Sequence, residues 1–165
     1  QHPYVLLARD VAKTLKLVPP SEMVFKFLPS LKDPNAKMSK SVSDSAIYFS
    51  DTSEVIQKKI YGAYTGSVSS LAMHRKLGGI PEICSVFNLL SSHCPDDAYV
   101  NDVYARYKRG VLTTGELKSL VTMFIQGYVK MHQDAEKKVT VAQVKQFLLR
   151  TPIRSFLQYG GMYDS

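Results

Sequence analysis

The chain has 165 residues, 45% of them hydrophobic, enough to bury the core of one domain or of one small domain plus part of another, which excludes a disordered chain. No apolar run approaches the roughly 20 residues of a membrane span, the start QHPYVLLARD lacks the basic region and apolar stretch of a signal peptide, and two cysteines are too few for a disulfide framework. A net charge of +7, spread rather than blocked, suits either a polyanionic partner or an ordinary solvated surface.

These features imply a soluble, cytoplasmic protein with no membrane association and with reduced thiols at Cys84 and Cys94. His74, Cys84, His93 and Cys94 lack ligand spacing of the Cys-x-x-Cys or His-x-x-x-His kind, so no metal site is expected in the protein itself. The first residue is Gln1, not methionine, and it stands directly before a helical pattern with no lead-in strand, so a piece of a longer chain is expected.

Taken in order, Leu7, Val11 and Leu15 with Ala8 and Ala12 predict an amphipathic helix over residues 4–17, ended by Pro19-Pro20. Residues 24–28 alternate around Lys26 and stop at Pro29, which predicts a short strand. Asp33-Pro34-Asn35 is a turn signal that opens a loop over residues 31–44. Residues 46–49 read as a second short strand or an extended segment, and Asp51 or Thr52 caps a helix over residues 55–60. Further helices are predicted over 69–77, closed by Gly78-Gly79; 81–92, opened by Pro81; 96–109, closed by Gly110; 114–137; and 140–150, ending before Pro152. The shift in composition near residue 50 divides an α/β remnant from a mainly α-helical bundle. Its predicted core comprises Ile60, Leu77, Val86, Phe87, Leu90, Val103, Leu120, Phe124, Val144 and Phe147.

The loop carries Lys37-Met38-Ser39-Lys40-Ser41, which matches the KMSKS signature of class I aminoacyl-tRNA synthetases in every position. The chemistry explains the residue types. When an amino-acid carboxylate attacks the α-phosphate of ATP, negative charge accumulates on the departing pyrophosphate, and lysines on a mobile loop, whose small polar neighbours let it close and reopen, can neutralise it most strongly at the transition state. Lys37 and Lys40 are the candidates for that catalytic role. Ser39 and Ser41 are candidate hydroxyl donors to ATP, and Met38 either anchors the loop or packs beside the nucleotide base. Two loop lysines are more often merely solvated; it is the complete motif, after a strand pattern and before helices, that favours the functional reading.

The blocks QHPYVLLARDVA, KMSKSVSDSAIYFSDTSEVIQKKI, HRKLGG and LTTGELKSLV together resemble eukaryotic and archaeal-type tryptophanyl-tRNA synthetases, in order and nearly in spacing. HRKLGG followed by an apolar helix favours that branch over tyrosyl-tRNA synthetase, the alternative family; a non-catalytic RNA-binding module derived from a synthetase is the other alternative. The resemblance implies the end of a Rossmann-type catalytic domain over residues 1–50 and a helical anticodon-binding domain with its tail over 51–165. It also implies ATP with Mg²⁺, tryptophan and tRNA(Trp) as ligands, and a homodimer for the full-length protein.

Residue by residue, the resemblance makes Gln1 a contact to the amino group of tryptophan, although a polar helix cap would explain the residue equally well. It makes Lys118 an anticodon contact, where the residue alone suggests a solvated lysine near Glu116. His74 and Arg75 match the family block without being expected as site residues, Arg75 reading as a surface or capping charge. Two departures stand out. Thr65-Gly66-Ser67-Val68-Ser69 lacks the acidic anticodon contact expected near Ser69, and no His-x-Gly-His, the other half of a class I ATP site, occurs in these residues. The 165 residues alone are therefore expected to be inactive.

Overall fold

The computed structural model describes residues 2–24, 27–42, 44–66 and 70–148. These fall into two compact units, one drawn from residues 1–26 and 139–165 and the other spanning Phe27–Lys138. The structure is mainly helical, and no strand forms among the described residues; an isolated antiparallel bridge joins Pro29 and Lys37.

In the first unit, helix α1 (His2–Thr14) is followed by a segment that returns along it. Arg9 Nε donates to Pro20 O at 3.0 Å, and His2 Nδ1 meets the Glu22 carboxylate at 2.7 Å. The expected apolar stripe is present but uncovered: Leu7, Val11 and Leu15 are exposed, and Ala12 alone of the helix is buried. The same unit contains a short helix near the other end, which takes the label α7 once the elements before it are numbered.

The second unit begins with a tight turn. Asn35 N–H donates to Asp33 Oδ1 at 2.8 Å and Ala36 N–H to Asp33 O at 3.2 Å, as the Asp33-Pro34-Asn35 signal requires. The two arms then share only Ser30 N–H to Ala36 O and Met38 N–H to Leu28 O. The expected strand over 24–28 lies partly outside the described residues, and its described part is unpaired apart from Leu28 O. No strand forms over 46–49: Ala46 lies in a bend and Phe49 in a turn, and Ile47 and Tyr48 have no regular structure. A strand needs a partner ladder, and Ile47 packs instead against the helical core.

Those helices are set by their caps. Thr52 Oγ accepts from Val55 N–H at the start of α2 (Ser53–Tyr61), and Ser70 Oγ accepts from Met73 N–H at the start of α3 (Leu71–Leu77). The helix expected from Pro81 is split: Pro81–Ile83 is a single 3₁₀ turn, and Cys84 leaves helical conformation to cap α4 (Ser85–His93) through its sulfur. Asp96 caps α5 (Asp97–Lys108), and Thr113 with Glu116 forms a capping box on α6 (Thr114–Glu136). In the first unit, Thr140 and Gln143 make the same box on α7 (Val141–Phe147).

The core of the second unit lies where α4 packs against α6 and α5, with α2 on the other part of α6. Leu117, Val121, Ile125 and Val129 recur every four residues along the buried face of α6, and Val103 with Tyr107 and Ile56 with Ile60 repeat that spacing on α5 and α2. Ile60, Val86, Phe87, Leu90 and Val103 are buried as expected, and Leu120 and Phe124 are half-buried against them. Leu77, Val144 and Phe147 are exposed, contrary to expectation, because helical spacing marks a face without saying what covers it. The joint between α3 and α5 requires glycine. Gly78 has φ 78°, and a Cβ there would lie 1.8 Å from Lys108 O.

Two outcomes follow for stability. Leu90→Ala, at a fully buried position, is expected to cost about 2–5 kcal/mol, whereas Leu77→Ala at an exposed one should stay within about 0.5 kcal/mol; paired urea midpoints measure both.

The Thr113 backbone N–H and then its hydroxyl hold the Glu116 carboxyl below the usual carboxylate range. The native state thus binds fewer protons than the unfolded one near the ordinary pKa. The contribution is fully present above the unfolded value of roughly 4.3 and is lost as pH falls through the lower native value. Glu116→Gln keeps the box geometry without the charge, so the wild-type advantage over it should shrink in that acid window when midpoints are compared across pH.

Candidate functional site

The five motif residues form an exposed tip on a pinned base. Lys37 pairs with Pro29 in the bridge, and Lys40 with Ser41 occupies the middle of a turn closed by Val42 N–H donating to Ser39 O at 3.3 Å. Lys37, Lys40 and Ser41 are exposed, and neither lysine has a hydrogen bond or ion pair among the described residues.

The residues between the lysines are held. Met38 is half-buried against the helical core and lines a cavity of about 110 Å³ with Leu28, Ile47, Tyr48, Phe49, Leu89, His93, Ile125, Tyr128 and Val129. Ser39 Oγ accepts from Ser41 N–H at 3.3 Å. Ser39 N–H donates to Ser45 Oγ at 3.2 Å, and the same hydroxyl donates to Ser39 O at 2.6 Å.

Beyond the loop, the chain is fastened to α2 and α6. Asp51 Oδ2 accepts from Lys59 Nζ at 2.6 Å and from Tyr48 N–H at 2.9 Å, with the Lys59 ammonium 4.6 Å from the Tyr48 ring centroid. The Phe49 ring stacks on His132 at 3.9 Å between centroids, and Gln133 Nε2 donates to Phe49 O at 2.7 Å. Sequence reasoning read Asp51 as a possible helix cap and passed over Ser45, Lys59 and Gln133. Only Asp51 stood out, since nothing local marks a serine of a polar loop, or a lysine or glutamine on a helix, for such a contact.

Lys118 sits apart from the loop tip, on α6. Its ammonium donates to Tyr61 O at 2.7 Å and Ala63 O at 3.1 Å, the carbonyls at and just past the end of α2. Lys32 Nζ donates to Gly62 O between them at 3.2 Å. Burial is the main cause holding the Lys118 pKa below the usual lysine value; the nearby Lys32 charge acts the same way and Cys84 opposes it.

Gln1 and Ser69 lie outside the described residues. Arg75 caps carbonyls, donating to Gly110 O at 3.1 Å and to Val111 O, and buried His74 Nε2 donates to Leu112 O at 2.9 Å. The HRKLGG block is therefore a packing joint between α3 and the end of α5.

Among the described residues no group of three or more His, Cys, Asp and Glu side chains could hold a metal ion, and no helix is long and apolar enough to cross a membrane.

Both the sequence and the fold have counterparts in known proteins. Residues 1–130 match the sequence profile of the tRNA synthetases class I (W and Y). The chain belongs to that family. Among its relatives, the tryptophan–tRNA ligase of Pyrobaculum calidifontis is 40% identical over 138 residues, covering 84% of this chain and 37% of the relative. The cytoplasmic tryptophan–tRNA ligase of Saccharomyces cerevisiae is 36% identical over 150 residues, covering 90% of this chain and 35% of the relative. The solved tryptophanyl-tRNA synthetase of Giardia lamblia superposes with a TM-score of 0.83 at 33% identity, covering 90% of this chain and 37% of that one. The chain thus spans a little over a third of the length of the curated relatives it matches.

The α2 end gives its own test. Lys118→Ala removes a cation from a helix C-terminus and leaves two carbonyls without their donor, which should lower stability by about 1–3 kcal/mol. A fall in the urea midpoint with unchanged slope is the expected result.

Proposed function

We propose that this chain is a C-terminal portion of a tryptophan–tRNA ligase, which joins tryptophan to tRNA(Trp) through an ATP-dependent activation. The observation that supports it most directly is the pair Lys37 and Lys40, exposed and unpaired among the described residues, on a loop whose base is anchored in a protein of the class I family. The tryptophan branch is favoured by the relatives' names.

In this reading residues 1–50 complete a Rossmann-type catalytic domain, and residues 51–165 form a helical anticodon-binding domain with its tail. Gln1 is assigned to the tryptophan amino group. ATP enters as its Mg²⁺ complex, a substrate whose metal rides on the phosphates. The fit is electrostatic: two ammonium groups with no resident counter-ion among the described residues suit a polyphosphate. As the tryptophan carboxylate attacks the α-phosphorus and pyrophosphate departs, Lys37 and Lys40 meet the charge that develops. Ser39 and Ser41 supply hydroxyls, and Met38 holds the loop to the helices beside the nucleotide.

The Lys118 ammonium has three N–H groups and donates two of them to carbonyls of the α2 end, which leaves one for tRNA. The native enzyme is placed in the cytoplasm as a homodimer.

Lys37→Ala or Lys40→Ala in the native polypeptide should each slow tryptophan activation by about 10²–10³-fold, roughly 2.7–4 kcal/mol, with tryptophan affinity nearly unchanged. Single-turnover formation of tryptophanyl-adenylate measures it, with tyrosine as the competing substrate. Residues 1–165 alone should form no adenylate. Unchanged rates with weakened ATP affinity would make the loop a ground-state clamp, and preference for tyrosine would move the assignment to the other branch.

A further inference from the structure

Ser45 lies outside the KMSKS motif, yet it is the most deeply buried serine among the described residues around the loop, with 1% of its surface exposed. Its four polar connections all serve the loop. The hydroxyl donates to Ser39 O and accepts from Ser39 N–H, so both backbone groups of the central motif residue end on one side chain. The Ser45 N–H donates to Val42 O, closing the turn that follows, and Ser45 O accepts from Leu31 N–H at 2.9 Å. Leu31 is fully buried, and its own carbonyl accepts from Tyr64 N–H at 2.7 Å, just beyond α2. A continuous chain of bonds therefore runs from the helical core through Leu31 and Ser45 to Ser39, one residue before Lys40 and two after Lys37.

We propose that Ser45 is a positioning residue for activation: its hydroxyl fixes the Ser39 peptide groups and so sets where the Lys37 and Lys40 ammonium groups can reach. The inference rests on the assignment of those lysines to the departing pyrophosphate. With Met38 packed against the core and Ser39 tied to Ser45, the backbone of the tip is held at two adjacent residues, which leaves less of the loop to be ordered at the transition state. Small displacements of positioned groups are costly in rate even when affinity is kept. Neither Ser39 peptide group has another side chain that could replace Ser45 among its described hydrogen bonds. Alanine at position 45 would remove both bonds with little change in volume.

The test is a double-mutant comparison in the native polypeptide, read as the single-turnover rate of adenylate formation, the rate of the reverse reaction with pyrophosphate, and tryptophan affinity. Ser45→Ala should slow both directions by about 10- to 100-fold and leave tryptophan binding unchanged. The same substitution should have almost no further effect in a Lys37→Ala/Lys40→Ala background, because the groups it positions are gone. A comparable loss in both backgrounds, or no loss in the wild-type background, would overturn the proposal while leaving the lysine assignment intact. If the double lysine variant itself activates tryptophan normally, the lysine assignment fails and this inference falls with it. Ser45→Thr and Ser45→Val guard against a packing artefact, since they share a shape and differ in the hydroxyl alone. The threonine variant should be the faster of the two, and equal rates would overturn the proposal.

Discussion

A stretch without a strand or helix of its own still has to satisfy every backbone group that it buries, and this constraint shapes residues 27–51. Several carbonyls of the stretch are bonded from the helices and the segments that join them. Ser85 Oγ donates to Ser30 O at 2.8 Å, Tyr64 N–H donates to Leu31 O, and Gln133 donates to Phe49 O and Asp51 O. The Lys59–Asp51 ion pair is nearly enclosed, with side-chain exposures of 7% and 11%. Removing one partner from such a pair strands the other charge, at a cost of about 3–5 kcal/mol. The composition shift near residue 50 falls inside this compact unit, so the loop and the helices share one core even where their sequences differ in character.

Lysine use follows the same division. Lys59 pairs with a buried carboxylate, and Lys32 and Lys118 converge on three successive carbonyls at the end of α2. Lys108 bridges Glu82 and the Tyr104 hydroxyl, and that ammonium with the hydroxyl holds the Glu82 carboxyl down at about 2. Net charge alone would treat these as one positive surface. The contacts separate these lysines, which serve the fold, from Lys37 and Lys40 at the loop tip, whose ammonium groups have no partner among the described residues, a state they share with other exposed lysines such as Lys13 and Lys76.

The helices were legible because their ends are encoded locally. Thr52, Ser70, Asp96, Thr113 and Thr140 are side-chain caps, and four-residue apolar spacing identifies the face of α6 without reference to its neighbours. The loop was legible from its turn residues and complete motif. What failed depended on partners far away in sequence. Residues 46–49 had no ladder to join, Cys84 broke the run opened by Pro81, and Leu77, Val144 and Phe147 lay on faces left uncovered. Ser45 was invisible for a related reason: one serine among several becomes the fastening point only because Leu31 and Ser39 are brought to it.

This arrangement bears on how a loop can favour a transition state over a bound substrate. A lysine already paired with a carboxylate would have to exchange one partner for another, and much of the new attraction would be cancelled by the loss of the old. Lys37 and Lys40 carry no such debt among the described residues, but each long side chain forfeits rotamer freedom of about 2 kcal/mol when it is ordered. An interaction made only when charge is largest can offset that loss, whereas a weak contact to ground-state phosphate offsets little of it. Holding Met38 and Ser39 confines the ordering to the two side chains and spares the backbone, where each newly fixed residue would add about 1–2 kcal/mol. In the proposed role, an anchored base with a bare cationic tip would separate the two demands: the fold would supply position, and a departing polyphosphate would supply the reason for the lysines to settle.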